Sequence, residues 1–318
     1  MNPTSDDRAP ERSTPAPAAE PADARLRPGR LAVGVVGAGR VGAVLGAALR
    51  QAGHTVVAAS AVSRESRERV ELLLPGTEVL PVPDVVARAD LVLMTVPDDV
   101  LPDLVRGLAT TGAWRAGQLV VHTSGRHGLG VLAPVTERGA LPLALHPVMT
   151  FTGTSIDLAR LSGCPFGVTA PAAILPVADA LVLEMGGEPV HVRDELRPLY
   201  HAALAHAANH LMALVGSSAD LLREAGVAEP RAVLEPLLTA ALDNALRSGD
   251  QALTGPVARG DADTVRAHLA AVAAVSDESA AAYRALARLT ADRALAAGLL
   301  DAARAEALLA VLAREVDS

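Results

Sequence analysis

Lysine is absent: all 28 basic residues of the 318-residue chain are arginine. Schiff-base chemistry, a P-loop lysine and a lysine proton donor each need an amine that the chain lacks, so proton transfer falls to His, Asp, Glu, Tyr, Cys or a bound water. Aromatic residues are scarce, with two Phe, two Tyr and one Trp. A core must then be built from Ala, Leu and Val, which suits close-packed helices and parallel strands better than an aromatic-rich β-sandwich. The single Cys164 excludes an internal disulfide, is a poor nucleus for a structural zinc site, and is expected to be buried and inert. Excess positive charge is also missing, and a net charge of −8 argues against nucleic acid as a partner. Residues 1–30, rich in Pro, Ala, Asp, Glu and Arg, contain no apolar segment of the signal-peptide kind; a disordered tail and a cytoplasmic location are expected. The longest stretch free of Asp, Glu and Arg, residues 198–219, carries His201, His206, Asn209 and His210 in its middle. It is expected to be a buried helix, not a membrane span.

What is present is alternation. Strands are predicted at 31–36, 54–59, 90–96, 118–122, 141–146, 166–169 and 189–192, with helices at 41–52 and 172–185. This pattern implies an α/β domain, a doubly wound parallel sheet over residues 31–192. Beyond Arg193 only helices are predicted, at 198–222, 230–247, 261–274, 277–297 and 302–316, with Asp261 and Asp277 as N-caps. Residues 193–318 therefore read as an all-α domain whose apolar helices are expected to pair in a homodimer.

The segment Gly37-Ala38-Gly39-Arg40-Val41-Gly42 sets G-x-G-x-x-G between the first strand and the first helix. In that context Gly37 permits the tight turn, Gly39 lets the backbone approach a pyrophosphate, and Gly42 allows helix–strand packing. A dinucleotide is expected there, its phosphates on the helix N-terminus. No acid follows between Gly42 and Arg64 to claim a ribose hydroxyl; the second strand runs instead into Ser63 and Arg64, with Arg67 and Arg69 beyond. Those groups suit a 2′-phosphate, so NADP(H) is expected before NAD(H), although the arginines also fit a solvated helix face. Val96 and Pro97, at the end of a later strand, are expected to border the cofactor or else to form a simple strand-end turn.

Two loops open on the same expected sheet edge. One holds His122-Thr123-Ser124-Gly125 and the other His146-Pro147. A histidine there can carry the proton that accompanies hydride transfer to a carbonyl or imine, with Ser124 orienting the substrate; a loop histidine bonded only to backbone is the plainer alternative. Asn209 is expected to face the nicotinamide or the substrate. His206 and His210 share a helix face, but two histidines without a third ligand make a weak metal site, and buried histidines without metal are expected.

On these residues, with Tyr200-His201 and residues 254–261, the chain resembles a bacterial family of Rossmann-like oxidoreductases whose helical C-terminal half is a domain of unknown function. The likeness runs from about Leu31 to the C-terminus. More distantly it is similar to the superfamily of phosphogluconate dehydrogenase, hydroxyisobutyrate dehydrogenase, ketopantoate reductase and pyrroline carboxylate reductase, which implies a dinucleotide domain, a helical domain and often a dimer. Several of those enzymes carry a lysine about four residues before an asparagine; if Asn209 matches, Ala205 stands in the lysine position. Arogenate and prephenate dehydrogenases pair a serine with a later His-Pro turn, and this resemblance implies His146 as acid/base with Ser124 as its partner. Reduction of a small 2-oxo acid or imine, ketopantoate first, is the implied activity. A non-catalytic NADP(H) sensor and a dehydrogenase of a larger cyclic substrate are the alternatives.

Overall fold

The computed structural model describes residues 29–313. Of the tail expected at 1–30 only the last two residues fall in this range, and the expected final helix is described as far as Ala313. Strand and helix alternate from the start: β1 Ala32–Val36, α1 Arg40–Gln51, β2 Thr55–Ser60, α2 Arg64–Leu73, α3 Val82–Arg88, β3 Leu91–Met94, α4 Leu101–Thr110, β4 Leu119–His122, α5 Ala133–Thr136, β5 Leu141–Pro147, α6 Ile156–Arg160, β6 Pro165–Thr169, α7 Leu175–Glu184 and β7 Glu188–His191.

The strands pair in the order β2-β1-β3-β4-β5-β6-β7. Their central members read as unbroken apolar runs because both faces are covered. Val33 and Val35 pack with Leu45 and Leu49 of α1 and with Phe166 on one side. Val36, Val92 and Met94 pack with Val105, Trp114 and Leu132 on the other. Each such side chain contributes about 1.5–3 kcal/mol on burial, which fixes the register of helices against sheet.

The sheet is not wholly parallel, as the alternation alone suggests. β6 runs antiparallel to β5, with Gly167 opposite His146, and β7 is parallel to β6. The physical reason is the link from β5 to β6: its helix α6 packs on α1, so the chain stays at the edge where β5 ended and β6 starts back from there. That return places Gly153 and Gly167 beside the glycine turn and His146 respectively.

Among the described residues six α-helices follow: α8 Arg197–Glu224, α9 Pro230–Ser248, α10 Gly255–Arg259, α11 Ala262–Ala273, α12 Asp277–Ala296 and α13 Ala302–Ala313. The chain divides into two compact units between Ala202 and Ala203, inside α8, whereas the end of the last strand suggests 192/193. Asp261 caps α11, its carboxylate accepting from Thr264 N at 3.1 Å. The cap of α12 is Ser276, which accepts from Ser279 N, and the expected Asp277 is instead the first residue of the helix. A one-residue shift follows naturally, since a hydroxyl and a carboxylate side by side both suit that position. Residues 254–261 prove to be a helix junction, with left-handed Gly260 ending α10 just before the Asp261 cap.

In the helical unit the core is small and alanine-rich, formed by α10 to α13 around Val265, Ala291, Leu308 and Leu312. Outside it, α9 buries only Pro230 and Leu234. Val233, Leu237, Leu242 and Leu246 of the same helix are exposed, the last by 80%. The expectation that 198–219 is buried also fails: beyond Ala202 that stretch of α8 is mostly exposed, Met212 by 76%. Among the described residues no helix is long and apolar enough to cross a membrane.

Candidate active site

The glycine turn is built by hydrogen bonds that leave its outer side open. Gly37 takes the left-handed conformation, φ +87°, and its N–H donates to Ser60 Oγ at 2.9 Å. Thr95 Oγ1 donates to the Gly37 carbonyl at 2.7 Å, tying β3 to the turn. Ala38 is buried and its N–H donates to the Ser60 carbonyl at 2.8 Å. At Gly42 a Cβ would lie 2.6 Å from the Gly37 carbonyl and would overlap Thr95 Oγ1. At Gly39 a Cβ would meet nothing nearer than 3.9 Å.

Space above Gly39 is therefore unfilled where a phosphate needs to approach main chain. The first turn of α1 has no side-chain cap and no acid, so its leading N–H groups, those of Arg40 and Val41, are left to meet an anion, which the helix dipole favours. These residues fit a dinucleotide pyrophosphate. Val96 packs over Gly37, its Cγ1 3.0 Å from where a Cβ would stand, and exposed Pro97 leads into α4 through its carbonyl bonds to Val100 and Leu101. The structure places Ser63 as the N-cap of α2, accepting from Ser66 N at 3.1 Å. Arg64 is 87% exposed and pairs with Glu68 at 2.7 Å, a helix-surface pair one turn apart.

Along the same edge, β4 and β5 deliver two histidines with different duties. His122 is fully buried; its Nδ1 accepts from Ser124 N at 3.2 Å while Nε2 faces the Gly128 carbonyl at 3.2 Å. One neutral tautomer, protonated on Nε2, satisfies both contacts. Burial, with the nearby Arg197 charge, pushes its pKa down to about 3, so His122 fastens the 123–128 loop and stays uncharged. Ser124 Oγ accepts from His127 N at 3.1 Å.

His146 is half-buried, and its Nδ1 lies 2.9 Å from the Tyr200 hydroxyl. Its pKa is pushed down to about 4, first by burial and then by Arg197 and His201. Burial raises the Tyr200 pKa while Arg197 opposes the rise. Gly125 and Gly167 make room for this pair. A Cβ on Gly125 would stand 2.6 Å from His201 Cδ2 and 3.0 Å from His146 Nε2; one on Gly167 would stand 2.7 Å from Tyr200 Cζ.

Arg197 holds the assembly together. Its side chain is fully buried and donates to the Ser124 carbonyl at 2.7 Å, to Thr169 Oγ1 at 2.9 Å and to the Gly167 carbonyl at 3.4 Å. It thus clasps the loop after β4, strand β6 and the first turn of α8. Among the described residues its Nε has no hydrogen-bond partner, and its Cζ lies 5.9 Å from the Tyr200 ring centre.

Several sequence expectations land elsewhere. The partner of His146 is Tyr200, and among the described residues no bond joins His146 to Ser124, whose hydroxyl accepts from His127 N. Asn209 is exposed and belongs to the helical unit. His206 and His210 bond to each other at 2.8 Å and are exposed, not buried. Among the described residues no group of three His, Cys, Asp or Glu is placed to hold a metal. Tyr200 and Arg197 received no role from the sequence. Scarcity was the available signal for the first, one of only two tyrosines.

The description of a Rossmann-like domain matches residues 17–147, and that of DUF2520, a domain of unknown function, matches residues 164–290. The chain thus carries a match to each of these two domains in turn. Solved structures agree with this architecture. A Bacteroides fragilis protein provisionally named an NADP oxidoreductase shares 20% identity and a TM-score of 0.67, over 83% of this chain and 98% of that one. An imine reductase from Myxococcus stipitatus in complex with NADP+ shares 20% identity and a TM-score of 0.59, over 87% and 99%. An NADH-preferring ketol-acid reductoisomerase from an uncultured archaean shares 18% identity and a TM-score of 0.58, over 84% of each chain. At these identities the likeness shows the fold. No curated protein sequence matches the chain. The glycine turn lies in the Rossmann-like match, while Arg197 and Tyr200 lie in the DUF2520 match, so the His146–Tyr200 pair joins a residue from each.

Proposed function

We propose that the chain is an NADP(H)-dependent oxidoreductase that reduces a small 2-oxo acid or imine, with ketopantoate the first substrate to try. The observation that carries this reading is one sheet edge bearing both the uncapped glycine turn and the Tyr200–His146 pair. The named activities of the B. fragilis and M. stipitatus proteins support it.

When bound, the reduced dinucleotide supplies a hydride to the carbonyl or imine carbon. The Arg40 and Val41 amides would hold its pyrophosphate, and Val96 would border it. Tyr200 gives its hydroxyl proton to the substrate oxygen or nitrogen. The Nδ1 proton of His146 moves onto the tyrosine oxygen, and Nε2 takes a proton from water, so the imidazole stays neutral and exchanges one tautomer for the other. Arg197 favours the transient negative charge on Tyr200.

Nucleotide-free protein titrated with NADPH and NADH, then assayed for NADPH oxidation against 2-oxo acids and imines, tests this. Binding of NADPH and turnover that disappears in His146→Ala are expected; no affinity for either coenzyme would falsify the reading.

The DUF2520 domain works as a homodimer. Val233, Leu237, Leu242 and Leu246 of α9 are all exposed, and clustered uncovered apolar side chains of this kind mark an interaction surface. A cavity of about 590 Å³ also separates α8 from α12, lined by Leu214, Val272 and Leu286 among others. A second copy brings the same uncovered helices and closes both gaps in one two-fold interface. Light scattering is expected to give twice the 32.5 kDa chain mass, falling to the single mass in a Leu237→Arg, Leu246→Arg double variant. A wild-type monomer at micromolar concentration contradicts this assignment.

A further inference from the structure

Two arginines converge on one point beside the glycine turn. At Gly153, which takes φ +80°, a Cβ would lie 2.8 Å from Arg69 Nε, 3.0 Å from Arg40 Cγ and 3.1 Å from Arg40 Cα. Arg40 is the first residue of α1, directly after Gly39, and Arg69 is half-buried on α2. Neither belongs to an ion pair among the described residues, in contrast to Arg64 with Glu68, Arg88 with Glu78 and Arg160 with Asp157. The acid one turn before Arg69, Glu65, is exposed, and its carboxyl is held below the usual range mainly by backbone and Ser63 hydrogen bonds, with Arg69 the least of the causes.

The ground beneath the two arginines is rigid. Buried Asp157 accepts from Thr152 N at 2.8 Å, from Gly153 N at 2.7 Å and from Thr152 Oγ1 at 3.0 Å. That carboxylate is engaged with the turn and with Arg160. Arg69 Nε therefore lies over the first residue of α1, and the Arg40 side chain starts from the same place; neither guanidinium is held by an ion pair among the described residues, so an anion beside the turn is stabilised by both.

We propose that Arg40 and Arg69, meeting over Gly153, are the contact that tells NADP(H) from NAD(H), and that Arg64 contributes little to the choice. The inference rests on the dinucleotide reading given above and deepens it. A phosphate monoester carries close to two charges and three acceptor oxygens, which guanidinium forks bind at paired atoms. The pyrophosphate, common to both coenzymes, falls to the main-chain amides of α1. The extra phosphate of NADP(H) then meets the side chains of Arg40 and Arg69. Arg64 reaches away into solvent toward Glu68, and the Ser63 hydroxyl is engaged as the cap of α2.

The test is a calorimetric titration of the nucleotide-free full chain with NADPH and with NADH, for wild type, Arg69→Met, Arg40→Met and Arg64→Ala. Arg69→Met is expected to weaken NADPH by about tenfold or more, the usual size of a lost charge-assisted contact, with NADH affinity unchanged; Arg40→Met, at a residue that also meets the shared pyrophosphate, is expected to weaken both coenzymes and NADPH the more. Arg64→Ala is expected to change either affinity by less than about threefold, as for an exposed pair. Equal loss for both coenzymes in Arg69→Met, no loss in it, or the main loss in Arg64→Ala overturns the inference while the dinucleotide reading stands. Wild type binding the two coenzymes equally overturns it as well. Wild type binding neither removes the dinucleotide reading and this inference together.

Discussion

In a Tyr200→Phe protein, turnover of any substrate that the wild type reduces is expected to fall by about 10²- to 10⁴-fold, the usual contribution of a positioned proton donor. NADPH affinity is expected to stay as it is, because Tyr200 lies at Gly167 and His146 and not at the glycine turn. His146→Gln should lose about as much as Tyr200→Phe, and the double variant little more, since two members of one relay act as a unit. The pH profile of kcat adds a sign. With its pKa pushed down to about 4, His146 remains able to take up a proton at Nε2 until the solution is more acidic than that. The rate is therefore expected to hold from neutral pH down to about pH 4 and to fall below it, as the imidazole becomes charged and can no longer exchange tautomers. An acidic limb near the ordinary histidine value of about 6.5, or a Tyr200→Phe enzyme with full turnover, would place the proton donor elsewhere.

Gly42→Ala is the second large effect. A methyl at this position has nowhere to go: the Gly37 carbonyl is 2.6 Å from its Cβ and Val35 Cγ1 3.1 Å, and Thr95 Oγ1 occupies the same space. Relief requires α1 to move off β1 or the Thr95 bond to break, and either displaces the amides that meet the pyrophosphate. Overpacking of this kind costs about 1–3 kcal/mol of stability. Affinity for both coenzymes should fall by about 100-fold or more, as expected when reacting or binding groups are misplaced by an ångström. A thermal melt checks the first and calorimetry the second. The loss must strike NADH and NADPH alike, which separates it from Arg69→Met. A Gly42→Ala protein that folds and binds both coenzymes as tightly as wild type shows that the dinucleotide does not lie on this turn.

Much of the chain could be read before any contact was known. Seven strands, the switch to helices after β7 and the Asp261 cap follow from local pattern: the apolar period fixes an element's type, and a cap or a tight turn needs only neighbours in sequence. The glycine turn belongs with these, since the reason for each glycine lies within a few residues of it, apart from Thr95 closing over Gly42.

Partnerships across the chain were decided by tertiary structure alone. The serine after β4 and the histidine near the end of β5 are paired by the resemblance to arogenate and prephenate dehydrogenases, yet the Ser124 hydroxyl accepts from His127 three residues on, and His146 meets Tyr200 from 54 residues away. Arg64 occupies the sequence position expected to read a ribose phosphate; the fold pairs it with Glu68 on the surface of α2, and sets Arg69 Nε and the Arg40 side chain on Gly153, contacts that sequence order does not show. Local pattern carries each residue's own preference for helix, strand or turn. Which side chains stand opposite one another depends on how strands are ordered and directed, and that is set by burial summed over the whole sheet.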